Sequence, residues 1–359
     1  MQIGGSVAAA DWNLLAAEVA RISAGSLVVG GDANGLLTVN TLTQASTANL
    51  GAVTLRSTGN GQAVQVDATA TFKALTIEAD NGIRVNSSLT TTDGDLVLNG
   101  DSDASADGVD RIEFATNVAL TAGRDLQLSS ATGNMTGAGV LTLQAKGDTV
   151  LGSSLANSGA LTLIADSDLS GSGTVRVEAA KTVSGSGLLR VQSADIDLRG
   201  ALSNASGEVR LQTHSGRAQG VGAASGDWTL DSGEIGRITA NLVTIGSAIT
   251  GVPAGGNITL AGVDAGSVAS GIQAWTIDAV GPVNGDGSAQ VRFEPGDSSF
   301  KALTVRAIDG IRVDSNITTT VGSLSFNPNT NSVTNANDRL TIGAGKTLTS
   351  AGGLTLTGV

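Results

Sequence analysis

The side chains with the most capacity for chemistry in this chain are four aspartates, Asp101, Asp103, Asp107 and Asp110, in the stretch NGDSDASADGVDRIEF. Closely spaced carboxylates are the hard oxygen ligands that Ca²⁺ prefers. The spacing fits neither an EF-hand loop nor the glycine-rich calcium repeat. A matching stretch farther along, NPNTNSVTNANDRLTI, keeps only Asp338, in the place of Asp110; the other positions carry Asn, Thr or Ser. A module that needed calcium there would keep its ligands, so the four aspartates are expected in a solvated loop. His214, the single histidine, lies in the polar, glycine-rich QTHSGRAQG. One imidazole cannot build a His-type metal site, and a Ser–His–Asp triad would rest on it alone. It too is expected in a solvated loop. Cysteine is absent, which excludes disulfides and thiolate zinc sites. No catalytic residue, cofactor site or metal site is expected, and no phosphate loop or dinucleotide fingerprint is present.

The elements that would position these residues are set by repetition. FKALTIEADNGIRVNSSLTTTDGDL, from Phe72 to Leu96, returns as FKALTVRAIDGIRVDSNITTTVGSL, from Phe300 to Leu324. Upstream of each copy stands a second shared segment, WNLLAAEVARISA from Trp12 and WTLDSGEIGRITA from Trp228. The chain therefore reads as one long module, 1–227, and a second, incomplete copy, 228–359. Within the module runs a finer beat, Gly-x-Leu-Thr-Leu-x-Ala. Short apolar–polar–apolar triplets recur, among them Leu75–Ile77, Leu96–Leu98, Leu126–Leu128, Leu141–Leu143, Leu161–Leu163, Val209–Leu211, Leu303–Val305 and Leu354–Leu356. Period two marks strands with one face buried, and flanking Gly, Asn, Asp and Ser mark turns. Strands this short form no stable isolated sheet, but stacked coil on coil they pair in parallel. The fold predicted is all-β, a parallel β-helix. At roughly 20 residues per coil it would have about 17–18 coils and a length on the order of 80–90 Å.

The two Trp-initiated segments break the strand beat. Leu14, Val19 and Ile22, like Leu230, Ile235 and Ile238, are spaced as one face of a short helix. Asp11 and Asp227 stand where they could cap it, and Glu18 with Arg21, like Glu234 with Arg237, could pair along it. Trp12, Glu18, Arg21, Trp228, Glu234 and Arg237 are thus expected to form a structural motif that opens each module.

Composition narrows the rest. Hydrophobic residues make up 40% but aromatics only 2%, so Leu, Val, Ile and Ala must fill the core. Charged residues are 14% and the net charge is −12, which opposes nucleic acid and anionic lipid. No apolar run is long enough to span a membrane. Residues 1–10 do not read as a signal peptide, and both ends fall inside repeat-like sequence, as cuts within a longer repeat region would. The outward position of many strands is Thr, including Thr54, Thr76, Thr142, Thr162 and Thr304, as suits an exposed strand. A polysaccharide lyase or hydrolase on this scaffold would need acidic and basic groups clustered on successive coils, and none is evident.

The strand motif, seen in ALTLIAD at 160–166, GLLRVQSADIDLRG at 187–200 and GGLTLTGV at 352–359, together with the module-opening W-x-L-x-x-x-E-[VI]-x-R-I-[ST]-A, resembles the body of large bacterial exoproteins of the filamentous haemagglutinin type. The resemblance spans essentially the whole chain. It implies a right-handed parallel β-helix, secreted by the two-partner (type Vb) route through an outer-membrane transporter. It also implies an extracellular or cell-surface adhesin or biofilm-matrix protein, of which this chain is an internal shaft. The family's amino-terminal secretion domain and a toxic carboxy-terminal domain are not evident. Partners would be surface glycans or proteins, or other copies of the chain. The alternatives are a glycan- or self-binding adhesive module and, more weakly, a polysaccharide-processing enzyme.

Overall fold

The computed structural model describes residues 1–213, 216–246, 256–266, 270–279, 289–331 and 336–357. It is a parallel β-helix: the strand pairs are parallel, and strands follow one another through the sheets in rung order. The chain divides into two compact units, residues 1–168 with 173–186, and residues 169–172 with 187–359. This division lies upstream of Trp228, where the sequence repeat restarts, so repeat and compact unit do not coincide. His214 lies outside the described residues.

In the first unit one sheet stacks Ala24–Gly31, Leu50–Ser57, Ala74–Ala79, Leu96–Asn99, Leu126–Ser129, Thr149–Leu151 and Thr174–Val177. Residue-on-residue register builds an inward column of Leu55, Ile77, Leu98, Leu128, Leu151 and Val177. Every member is at most 1% exposed. Burying each such side chain contributes about 1.5–3 kcal/mol. The neighbouring column admits one polar member, Thr149, fully buried, whose hydroxyl donates to the carbonyl of Ile164 at 2.7 Å. That bond keeps the hydroxyl from being a buried, unpaired group.

The second unit repeats the arrangement with larger side chains. Leu211, Ile245, Ile277, Val305, Phe326 and Leu356 stack in register. Trp275 packs edge-on to Phe300 with centroids 5.8 Å apart.

The triplets named from sequence all lie in strands. Further strands, such as Ala70–Phe72, Leu89–Thr91 and Met135–Gly137, fill two more faces of the first unit's rungs. Several triplets therefore belong to one rung, and rungs are longer, and so fewer, than a 20-residue coil implies. Their length also varies: Ile83 lies over Val64, whereas Ile238 lies over Leu202. Sharp corners recur in the same chemistry. The Asn157 amide donates to the carbonyls of Gly139 and Gly159, both at 2.9 Å. Asn204 does the same for Gly187 and Glu208. The outward threonines, such as Thr54 over Thr76 and Thr142 over Thr162, are half-buried by their neighbours along the stack. Among the described residues no helix is long and apolar enough to cross a membrane.

Candidate functional site

The aspartate cluster is drawn into the protein's own main chain. Asp101 is 2% exposed, and its Oδ2 accepts from the backbone N–H and the hydroxyl of Thr132, each at 2.7 Å. Asp110, also buried, adopts φ 39° and accepts from the Gly108 N–H. Asp103 and Asp107 are exposed; they accept from Ser105 and from the Asn60 amide. The expected solvated loop therefore holds for Asp103 and Asp107 and not for Asp101 and Asp110, because the first pair stays on the rim while the second closes the corner beneath it. In the second copy Asn329 and Asp338 stand for Asp101 and Asp110, and there the amide donates to the carboxylate at 3.2 Å. Sequence reasoning missed Asp80. Burial pushes its carboxyl up from the usual range, against the pull of the Gly61 N–H, and the nearby Asp103 and Asp107 add to the rise. Asp103 moves down, held first by the Ser105 N–H and hydroxyl. Among the described residues no group of three or more His, Cys, Asp or Glu is placed to hold a metal ion.

The module-opening motif does more than begin a helix. In the second copy the chain forms the strand Gln219–Gly222, returns, and lays Trp228–Leu230 beside it in parallel. Parallel neighbours ordinarily need a connection of a dozen or more residues. Here the strands are so short, about 10 Å, that residues 223–227 suffice for the return. The first copy makes the same back-step, Gln2–Ile3 to Asn13–Leu14. The helices that follow are single turns, Ala16–Val19 and Ser232–Ile235.

The expected caps, Asp11 and Asp227, are too early, because the tryptophan segment is extended. The cap is Asp231, whose Oδ1 accepts from the Glu234 N–H at 2.8 Å while Glu234 Oε2 accepts from the Asp231 N–H at 2.9 Å. At the equivalent place Glu18 accepts from the Leu15 N–H. Glu234 and Arg237 do not spend their charges on each other. Glu234 Oε1 accepts from the Leu198 N–H at 2.9 Å, and Arg237 Nη1 donates to the Leu198 carbonyl at 3.0 Å. Two side chains thus grip both polar groups of one strand residue. Beside them the Thr229 N–H donates to Asp195. Burial, with the charges of Asp231 and Asp195, raises the Glu234 carboxyl above its ordinary range despite the two N–H donors. Trp228 is fully buried under this clamp, whereas Trp12 is 47% exposed.

A further charged feature is an outward column in the first unit: Gln65, Arg84, Glu113 and Thr136, one per rung. Glu113 bridges two guanidiniums, with Oε2 3.1 Å from Arg84 Nε and Oε1 2.6 Å from Arg111 Nε. Burial alone would raise the Glu113 carboxyl, but Arg111 and Arg84 together outweigh it and hold it below the usual range. Arg111 is a local partner, two residues before Glu113, whereas Arg84 meets Glu113 through rung register.

The fold and these sites define a parallel β-helix whose modules open on a back-stepped strand and a single turn, clamped by side chains in the second copy. No family model, curated protein or solved structure matches the chain.

Proposed function

We propose that this chain is a structural shaft segment of a giant secreted or surface-exposed bacterial adhesin or biofilm-matrix protein of the filamentous haemagglutinin type. Such a protein would be exported through an outer-membrane transporter. The observation that carries the reading is the module opening: both modules open with a back-stepped strand and a single helical turn, and in the second copy Glu234 and Arg237 tie that turn to Leu198. The back-step and turn recur in each module, and the second copy adds charged side chains spent on main-chain groups of a neighbouring rung, which stiffens a stack. Parallel ladders and dry aliphatic columns within each unit serve the same mechanical end. Catalysis, cofactors, nucleic acid and membrane insertion have no part in this reading.

The test is mechanical. Pulled from its ends in an optical trap, the chain should hold its length and then lengthen in discrete steps, and it should resist protease while folded. Gradual stretching at low force, with rapid digestion, would overturn the shaft. A second reading, an adhesive module, is favoured by one feature, an open groove of the second unit lined by Arg292, Arg312 and Arg339.

A further inference from the structure

The two modules carry the same arginine pair in different company. Arg84 and Arg111 of the first unit correspond to Arg312 and Arg339 of the second: the first of each pair is the middle residue of the short strand Ile-Arg-Val, and the second directly precedes the strand stacked on it. Glu113 pairs in register with Arg84, and Thr341 pairs in register with Arg312. The carboxylate that bridges the first pair is therefore missing from the second. The guanidiniums there have turned elsewhere. Arg312 reaches Asp314 on its own strand's edge, and Arg339 reaches the carbonyl of Ala336. A third guanidinium joins them, because Arg292 stands over Arg312 where the first unit has Gln65 over Arg84. Arg292 rests on the Gln290 amide oxygen at 2.8 Å. Together they line an open groove of about 420 Å³. The equivalent groove of the first unit, which Glu113 lines, is about 260 Å³.

We propose that the groove of Arg292, Arg312 and Arg339 binds the carboxylate of an acidic saccharide, which takes the place that Glu113 occupies between Arg84 and Arg111. The first unit supplies the template for the ligand: a carboxylate that gives one oxygen to each of two guanidiniums in charge-assisted hydrogen bonds. The remaining lining points to a sugar. The rest of the lining is polar, with the Thr341 hydroxyl and the amides of Gln290 and Asn337, which are held in place by Arg292 and Asp309. Buried Asp309 fixes both amides, accepting from Gln290 at 3.1 Å and from Asn337 at 3.3 Å. The acidic residues in the wall and the chain's net charge of −12 oppose polyanions in general, so the three arginines alone must hold the ligand's carboxylate, and a short acidic saccharide suits the site better than a long polymer. This inference stands apart from the shaft reading: the shaft needs no ligand, and the groove needs no particular stiffness.

The experiment is calorimetric titration of the whole chain with a hexamer of galacturonic acid, its methyl ester and a short polyglutamate. One saturable site is expected for the acid hexamer, weakened by salt and at least tenfold weaker for the ester and for polyglutamate. Thr341→Glu installs the side chain that the first unit carries at this place, so the fold tolerates it by precedent, and it should reduce affinity at least tenfold. Glu113→Thr should open the first unit's groove and raise the stoichiometry from one to two. Absence of binding, or binding unchanged in Thr341→Glu with the circular dichroism of the parent, would overturn the site. Equal binding of the ester would overturn the carboxylate, and equal binding of polyglutamate would overturn the saccharide.

Discussion

A single carboxylate, that of Glu234, shows how this protein uses its few charges. It sits where Coulomb attraction to Arg237 was the simple expectation, yet it serves two backbone N–H groups, on Asp231 and Leu198. Glu234→Ala would leave the buried Leu198 N–H and the more exposed Asp231 N–H without that acceptor, and a loss of about 1–3 kcal/mol is expected in chemical denaturation. The pH dependence has a definite sign. The folded carboxyl ionises at a higher pH than an unfolded one, which titrates near ~4.3. Between those two values the folded chain holds more protons than the unfolded chain, so this group's contribution falls as pH rises through the window and is level above it. Glu113, Glu208 and Asp95, shifted down, act in the opposite sense at lower pH. The difference between parent and Glu234→Gln isolates the one group: the parent's relative stability should fall as pH climbs from 4 through the folded pKa. A difference that stays flat or rises would mean that burial does not govern this carboxyl.

At the scale of elements, the corner before each Ile-Arg-Val strand is the most exacting. Gly82 and Gly310 precede these strands at φ 93° and 101°, a region costly for side chains. They differ in what lies beside them. A Cβ on Gly310 would stand 2.1 Å from the carbonyl oxygen of Asn337, and one on Gly82 would stand 2.7 Å from that of Arg111. Gly345, at φ 72°, has open space around it. Alanine should therefore cost about 1–2 kcal/mol at Gly345, from backbone strain alone. The cost should rise through Gly82 to Gly310, as urea midpoints would show; equal costs at the three would remove rung contact from the account. Such corners explain what could be read in advance. Leu-Thr-Leu triplets between glycines announced their strands because alternation and turn chemistry are local. Leu89–Thr91 and Met135–Gly137 announced little, since each is held by the rungs on either side rather than by its own pattern. The clamp was half visible: Glu234 and Arg237 stood out by repetition, but Leu198 gave no sign of being their partner. Of the bridge at Glu113, the Arg111 half is a local two-residue spacing, but the Arg84 half could not be read, because loop lengths between rungs set which residues meet.

At the scale of the whole molecule, a chain with 2% aromatics and 14% charge takes its stability from many small stacked side chains, so its weakest places are where stacking stops. The strand Leu354–Leu356 pairs on one side with Leu324–Asn327, and no strand among the described residues covers the other. Leu354 and Leu356 there are 48% and 54% exposed, although their partners Leu324 and Phe326 are fully buried. In the first unit Trp12 and Val28, the latter 58% exposed, mark a similar edge beside Asn13–Leu14 and Ala24–Gly31. Unpaired N–H and C=O groups lined with apolar side chains are a template for another strand. The purified chain should therefore associate as its concentration rises. Sedimentation velocity should show the average mass climbing, and Leu354→Lys with Leu356→Lys should suppress the climb by adding two like charges at the contact. The substitution touches side chains already exposed, so the thermal melt should shift by no more than a few degrees. A chain that stays monomeric at high concentration would mean that these edges are protected. Association undiminished by the two lysines would place the contact elsewhere, and the edge beside Trp12 would be the next to alter.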